Sequence, residues 1–182
     1  DGCIKNNIRE LYLASSSEVY QTPNKIPTDE NEQLKIPDIY NPRFSYGGGK
    51  ILTELMGVHY GKKFFKKLII FRPHNVYGPN MGYDHVIPEF ISRIKKINNK
   101  NKKCIIKGSS QETRSFIFID DFINAFDLII KKGKHLNIYN IGTSEENKIS
   151  NLVFRIAKIC KKKIVLHRTQ RAEGSTKRRS PN

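Results

Sequence analysis

Apolar residues in this chain fall into short runs separated by longer stretches in which they recur every three or four positions. Leu11–Ala14, Leu68–Phe71 and Phe116–Ile119 read as buried strands, with Ile105-Ile106, Ile138–Ile141 and Ile164–Leu166 as shorter or mixed ones. Helical spacing marks Tyr46–Tyr60, Val86–Ile97, a segment opening at Asp120 or Asp121, and Ile149–Cys160. The first of these helices should bury Ile51, Leu52, Leu55, Met56 and His59 and end on Gly61 as a C-terminal cap. In the third, Phe122, Ile123, Phe126 and Ile130 face inward, and an aspartate at the start satisfies free N–H groups. Between the first strand and the first helix, residues 21–43 hold Pro23, Pro27, Pro37 and Pro42 and predict a long ordered loop, a kind that usually serves function. Strands alternating with helices give an α/β fold with a mainly parallel sheet, in one continuous unit without repeats or a linker.

Composition narrows this picture. With 182 residues, 37% hydrophobic and 27% charged, the chain has the apolar content of a globular domain and too much of it for disorder. No apolar run approaches the roughly 20 residues of a membrane helix, so no membrane role is expected. The chain opens Asp-Gly-Cys, without a leader or a Met, which suggests a true start further upstream. Cys3, Cys104 and Cys160 have neither metal-ligand nor disulfide spacing, and imply a reducing cytoplasm and no metal. The net charge of +16 raises a non-catalytic, basic nucleic-acid-binding protein as a rival reading. Against it, the lysines come in pairs near helix ends and in loops, without interleaved aromatics, as a solvated surface would have them.

Tyr46 and Lys50 stand four apart at the start of a helix and so share a face. An ammonium beside a phenol favours the phenolate, which makes the pair a candidate base for a hydroxyl proton. In a chain this rich in lysine the spacing alone is uninformative, and its setting decides. That setting is Ser45-Tyr46-Gly47-Gly48-Gly49-Lys50, three glycines that cost a helix roughly 1 kcal/mol each relative to alanine. Close approach of another backbone or a flat ligand would offset that cost. A phosphate-binding loop is excluded, since no strand leads into it and no Ser or Thr follows Lys50. A second constellation, Ser15-Ser16-Ser17-Glu18-Val19-Tyr20, follows a buried strand, where ligands of open α/β sheets bind. A hydroxyl there can bond a sugar oxygen, and Glu18 can act as an acid or base.

Ala14–Tyr20, the Tyr46-x-x-x-Lys50 pair and Arg72-Pro73-His74-Asn75-Val76-Tyr77-Gly78-Pro79 together resemble the extended short-chain dehydrogenase/reductase family, within it the nucleotide-sugar epimerases, dehydratases and decarboxylases. Gly108–Asp121 is similar to that family's later substrate-binding region, and Tyr139–Gly142 to its last core strand. The resemblance runs over residues 9–182. It implies the C-terminal part of a doubly wound Rossmann-type parallel sheet plus a small substrate-binding α/β subdomain. The whole chain would be a single NAD-dependent epimerase/dehydratase domain, lacking its N-terminal glycine-rich portion and its C-terminal end. By position, Tyr46 becomes the catalytic base, Lys50 the residue that tunes it and binds the nicotinamide ribose, and Ser16 the catalytic hydroxyl, with Ser17 and Glu18 beside it. Pro73 and His74 would line the nicotinamide. Asn75 and Arg114 would contact the substrate diphosphate, Val86 and Ile87 the nucleotide base, and Arg171 a later nucleotide contact. Arg72 is expected to be structural. The implied cofactor is NAD, the implied partner a nucleotide-diphosphate sugar rather than nucleic acid, and the implied assembly a homodimer of the full-length protein. The family's dehydratases carry Asp-Glu after the catalytic hydroxyl residue, whereas Ser17-Glu18 is closer to the decarboxylases, so a UDP-glucuronate decarboxylase-like branch stays open beside epimerase and dehydratase.

Overall fold

The computed structural model describes residues 2–98, 101–109, 111–170 and 176–182. In chain order these form α1 (Gly2–Lys5), β1 (Glu10–Ala14), a 3-10 turn at Ser17–Tyr20, a second at Pro42–Phe44, α2 (Ser45–Phe64), β2 (Lys67–Pro73) and β3 (Val76–Tyr77). Then come α3 (Val86–Lys95), β4 (Lys103–Lys107), β5 (Thr113–Ser115), β6 (Ile117–Phe118), α4 (Ile119–Lys132) and β7 (Ile138–Ile141). The last elements are β8 (Glu146–Lys148), α5 (Ile149–Ile159), β9 (Val165–Thr169) and β10 (Arg178–Arg179).

The main sheet runs β1-β2-β7, all parallel, with Leu11 beside Leu68 and Ile70 beside Ile138. Its centre is β2, whose Leu68, Ile69 and Ile70 are wholly buried, as expected of a strand covered on both faces. On one face α4 packs through Phe122, Phe126 and Ile129 against Ile69, Phe71 and Ile141. A second core joins α3 and α5 to the two-stranded parallel sheet β4-β9, around Phe90, Ile94, Ile106 and Val153. The expected parallel sheet is therefore divided into small sheets, and one pairing, β5 with β8, is antiparallel.

Two helix faces differ from expectation. In α2, Leu52, Leu55, Met56 and His59 lie exposed, and the buried positions are Gly47, Glu54, Gly57 and Gly61. The helix lies so close to the sheet that a Cβ on Gly57 would collide with Leu13, and one on Gly61 would come 2.7 Å from Leu136 and 3.2 Å from Leu68. Only glycine permits that approach, so the large apolar side chains are turned outward. Gly61 is accordingly a packing residue inside the helix, which continues to Phe64, and not its cap. In α4, Ile123 and Ile130 are exposed and Ile129 takes the buried place. That helix starts at Ile119, with Asp120 and Asp121 in its first turn, where they suit the dipole without capping it.

Residues 21–43 do form a long ordered loop, and the C-terminal segment holds it in place. Thr28 N donates to the Ser180 carbonyl and Asn182 N to the Thr28 carbonyl, both at 2.9 Å. On its other side this segment pairs with β5, Arg179 beside Arg114. Among the described residues no helix is long and apolar enough to cross a membrane.

Candidate active site

A cavity of about 530 Å³ opens at the carboxyl ends of β1 and β2. Ser16, Ser17, Glu18, Tyr46, Pro73, Asn75, Val86 and Ile87 all line it, which brings together eight residues singled out from the sequence. Ser16 lies just past the end of β1, where its hydroxyl oxygen accepts the Glu18 N–H and caps the 3-10 turn. Tyr46 lies in the first turn of α2 with its ring more than half exposed. The 3-10 turn Pro42–Phe44, opened by Pro42 and capped by the Asn41 side chain accepting the Arg43 N–H, leads directly into that helix. Gly47 lets this turn touch the other: a Cβ would come 2.9 Å from the Glu18 carbonyl. Here the first glycine answers a backbone approach, as expected, while Gly49 meets nothing within 4 Å.

Lys50 does not line the cavity. Its ammonium lies 5.7 Å from the centre of the Tyr46 ring and donates to the Ala14 carbonyl at 2.8 Å. His74 does not line this cavity; its side chain is wholly buried and bonded to Asn140 at 3.3 Å. Burial, with the charges of Arg179 and Arg72 adding to it against the Asn140 bond, brings its imidazole down to about 4, so it is neutral at pH 7. Pro73 keeps its place on the wall. Asn75 has a left-handed backbone, φ 41°, and spends its amide on the Ser115 carbonyl at 2.8 Å.

Arg114 lines an adjoining cavity of about 360 Å³ that shares Arg43, Asn75, Val86 and Phe116 with the first. Its guanidinium donates to the carbonyls of Thr113 and Thr176, and of Lys177 at 3.2 Å. Burial and the nearby charge of Arg179 bring it down to about 10, against the pull of Glu18 and Glu112. The guanidinium is thus half-buried and bonded to backbone carbonyls, with carboxylates further off. Arg171 lies outside the described residues.

The main functional residue that sequence reasoning missed is Arg179. It is buried, makes a bidentate pair with the Glu18 carboxylate, and also donates to Thr176 Oγ1 at 3.0 Å. Burial opposes the ionisation of Glu18, but the bonds and charge of Arg179, with Arg43 and Arg114 beyond, outweigh it and hold the carboxyl below its usual range. Nothing in a basic tail of similar residues distinguishes this arginine; only its pairing beside β5 does. Beneath the site, Arg72 is fully buried and ion-paired with Glu54. Among the described residues no group of His, Cys, Asp or Glu could hold a metal.

A parallel sheet that gathers a serine hydroxyl, a phenol and a helical lysine beyond its strand ends defines the short-chain dehydrogenase/reductase class. The chain belongs to the NAD dependent epimerase/dehydratase family, whose model matches residues 1–142. It is 36% identical over 159 residues to the dTDP-D-glucose 4,6-dehydratase of Dictyostelium discoideum, covering 82% of this chain and 34% of that protein. To the human (Homo sapiens) dTDP-D-glucose 4,6-dehydratase it is 32% identical over 154 residues, 85% of this chain and 41% of the relative. The chain thus spans about a third to two-fifths of the length of these curated relatives. The crystal structure of the Streptomyces venezuelae dTDP-glucose 4,6-dehydratase, with NAD bound, matches with a TM-score of 0.83 at 18% identity, over 99% of this chain and 53% of that one. The fold is accordingly Rossmann-type.

Proposed function

We propose that the protein is an NAD-dependent nucleotide-sugar epimerase or dehydratase that works by transient oxidation of the sugar to a keto intermediate. The observation that carries this reading is the convergence of Ser16, Glu18 and Tyr46 on one cavity, with Lys50 behind the phenol. Tyr46 takes the proton of a sugar hydroxyl, Ser16 bonds the same oxygen, and the Lys50 ammonium stands over the phenol ring. NAD, when bound, supplies the acceptor for the hydride leaving that carbon. The residues suit the nicotinamide end of such a cofactor: Pro73 walls the cavity beside Tyr46, and Lys50, next to Tyr46 on the same helix, would hold the ribose. Arg114 neutralises the diphosphate from the adjoining cavity, and Val86 flanks the base.

Substituting Tyr46 by Phe in the intact protein should abolish conversion of nucleotide-sugars while leaving their binding within a factor of a few. Retained turnover would remove the phenol from the mechanism. Steeply salt-dependent binding to DNA or RNA, without turnover, would favour the nucleic-acid reading instead.

One observation favours the decarboxylase branch. Ion-paired to Arg179, Glu18 stays a carboxylate and cannot protonate a leaving hydroxyl, and Ser17 beside it is no acid. Loss of carbon dioxide from a uronic acid, unlike loss of water, asks for no such acid. Mass spectrometry of products from dTDP-glucose and UDP-glucuronate separates the two, a pentose marking decarboxylation and a deoxy-keto hexose dehydration.

A further inference from the structure

Tyr46, Lys50 and Glu54 recur every four residues along α2 and form one stripe. The stripe meets the end of β1 in step. Glu54 takes the hydroxyl of Ser15, Lys50 takes the carbonyl of Ala14, and Tyr46 shares the cavity with Ser16. Glu54 is buried, and its charge is matched by Arg72, 1% exposed, through Nε at 2.9 Å and Nη2 at 2.6 Å. Arg72 Nη1 then donates to the Tyr20 hydroxyl at 2.7 Å and to the Glu30 carbonyl at 3.1 Å. The Tyr20 hydroxyl in turn donates to Asn140 Oδ1 at 2.8 Å, on β7 opposite Arg72 itself. One guanidinium therefore ties together the helix, the 3-10 turn, the long loop and, through Tyr20, β7.

Replacing a buried ion pair by apolar side chains of the same volume is often neutral or stabilising, so stability alone is a weak account of charges buried here. What apolar side chains lack is direction. We infer that Glu54 and Arg72 are a positioning pair for the reaction, setting the end of β1 through Ser15 so that the Ser16 hydroxyl and the Tyr46 phenol address the same sugar carbon. This rests on the reading of Ser16 and Tyr46 given above.

Ser15→Ala tests it by removing one hydroxyl while leaving the ion pair intact. In the intact protein, kcat should fall by about 10- to 100-fold with KM unchanged, as for a misplaced but still bound substrate. Glu54→Gln should do the same more severely. In the 182-residue chain without substrate, the amides of Val19 and Gln21, which bond the Ser16 and Glu18 carbonyls, should exchange hydrogen about tenfold faster in Ser15→Ala, while Leu68–Phe71 keep their protection. Unchanged exchange at Val19 and Gln21, or loss of protection throughout Leu68–Phe71, would overturn the inference; the second result would mark a merely structural bond. An intact protein that converts no nucleotide-sugar would instead sink the oxidation reading, and the exchange measurement would still decide this one.

Discussion

Glu18 and Arg179 are separated by 161 positions yet form a bidentate charge pair at the cavity. The pair makes a pH prediction whose direction follows from its lowered carboxyl. A carboxylate held below its ordinary 4.5 contributes stability above that value and loses it as pH falls through the folded-state pKa. Arg179→Gln should raise the Glu18 titration, which carboxyl carbon resonances would register directly; an unmoved titration would mean the pair does not form in solution. His74 works the other way. The unfolded chain takes up its proton near 6.5 and the folded one only near 4, so stability falls as pH drops from 6.5 to about 4 and levels off below. The difference is on the order of 3 kcal/mol for so buried a ring. His74→Gln should flatten that part of the curve in urea unfolding at pH 7.5 and pH 5; an unchanged slope would place the titrating group elsewhere.

At the scale of the element, α2 shows why three adjacent glycines need not share one purpose. Gly47 faces the backbone of the 3-10 turn, which cannot move aside, whereas Gly49 faces open space. Gly49→Ala should therefore stabilise the chain by up to about 1 kcal/mol, the ordinary helical gain. Gly47→Ala should destabilise it, with the turn at Ser17–Tyr20 displaced, despite the same gain in propensity. Thermal melts of the two variants decide this, and equal shifts would refute the close approach. The reversed face of α2 has the same origin. Its apolar residues satisfy a helical period, but the period does not say which stripe lies against the sheet when the other stripe is built of glycines.

At the scale of the whole molecule, two cores are joined across the cavities. Ser16 and Pro73 stand at the strand ends of the main sheet in the first cavity, and Phe90 and Ile106 of the second core line the adjoining one. The described residues include the second cavity with its half-buried Arg114, while the sequence holds no strand–turn–helix of the Gly-x-Gly-x-x-Gly kind for a dinucleotide pyrophosphate. Calorimetry on the 182-residue chain should accordingly find nucleoside diphosphate binding, weakened about tenfold or more by Arg114→Ala, and little NAD binding. Micromolar NAD affinity would contradict this division. β1 pairs only with β2 among the described strands, and its open edge leaves backbone groups free for a further strand.

The sequence by itself determined the local elements and the chemistry along each of them. Runs of Leu and Ile marked β1 and β2, and the Tyr46–Lys50 pair and the turn Ser15–Tyr20 with its Glu18 stood out because each depends on neighbours a few positions away, while Ser16 was singled out only by resemblance to a family. The tertiary structure alone decided which distant residues meet. It brought the last seven residues against the long loop, put Arg179 on Glu18, buried His74 and turned the glycine stripe of α2 inward. Periodicity records whether a side chain prefers an interior, but ion pairs across the chain and close backbone approaches depend on how whole elements stack, and that information is spread over all of them at once.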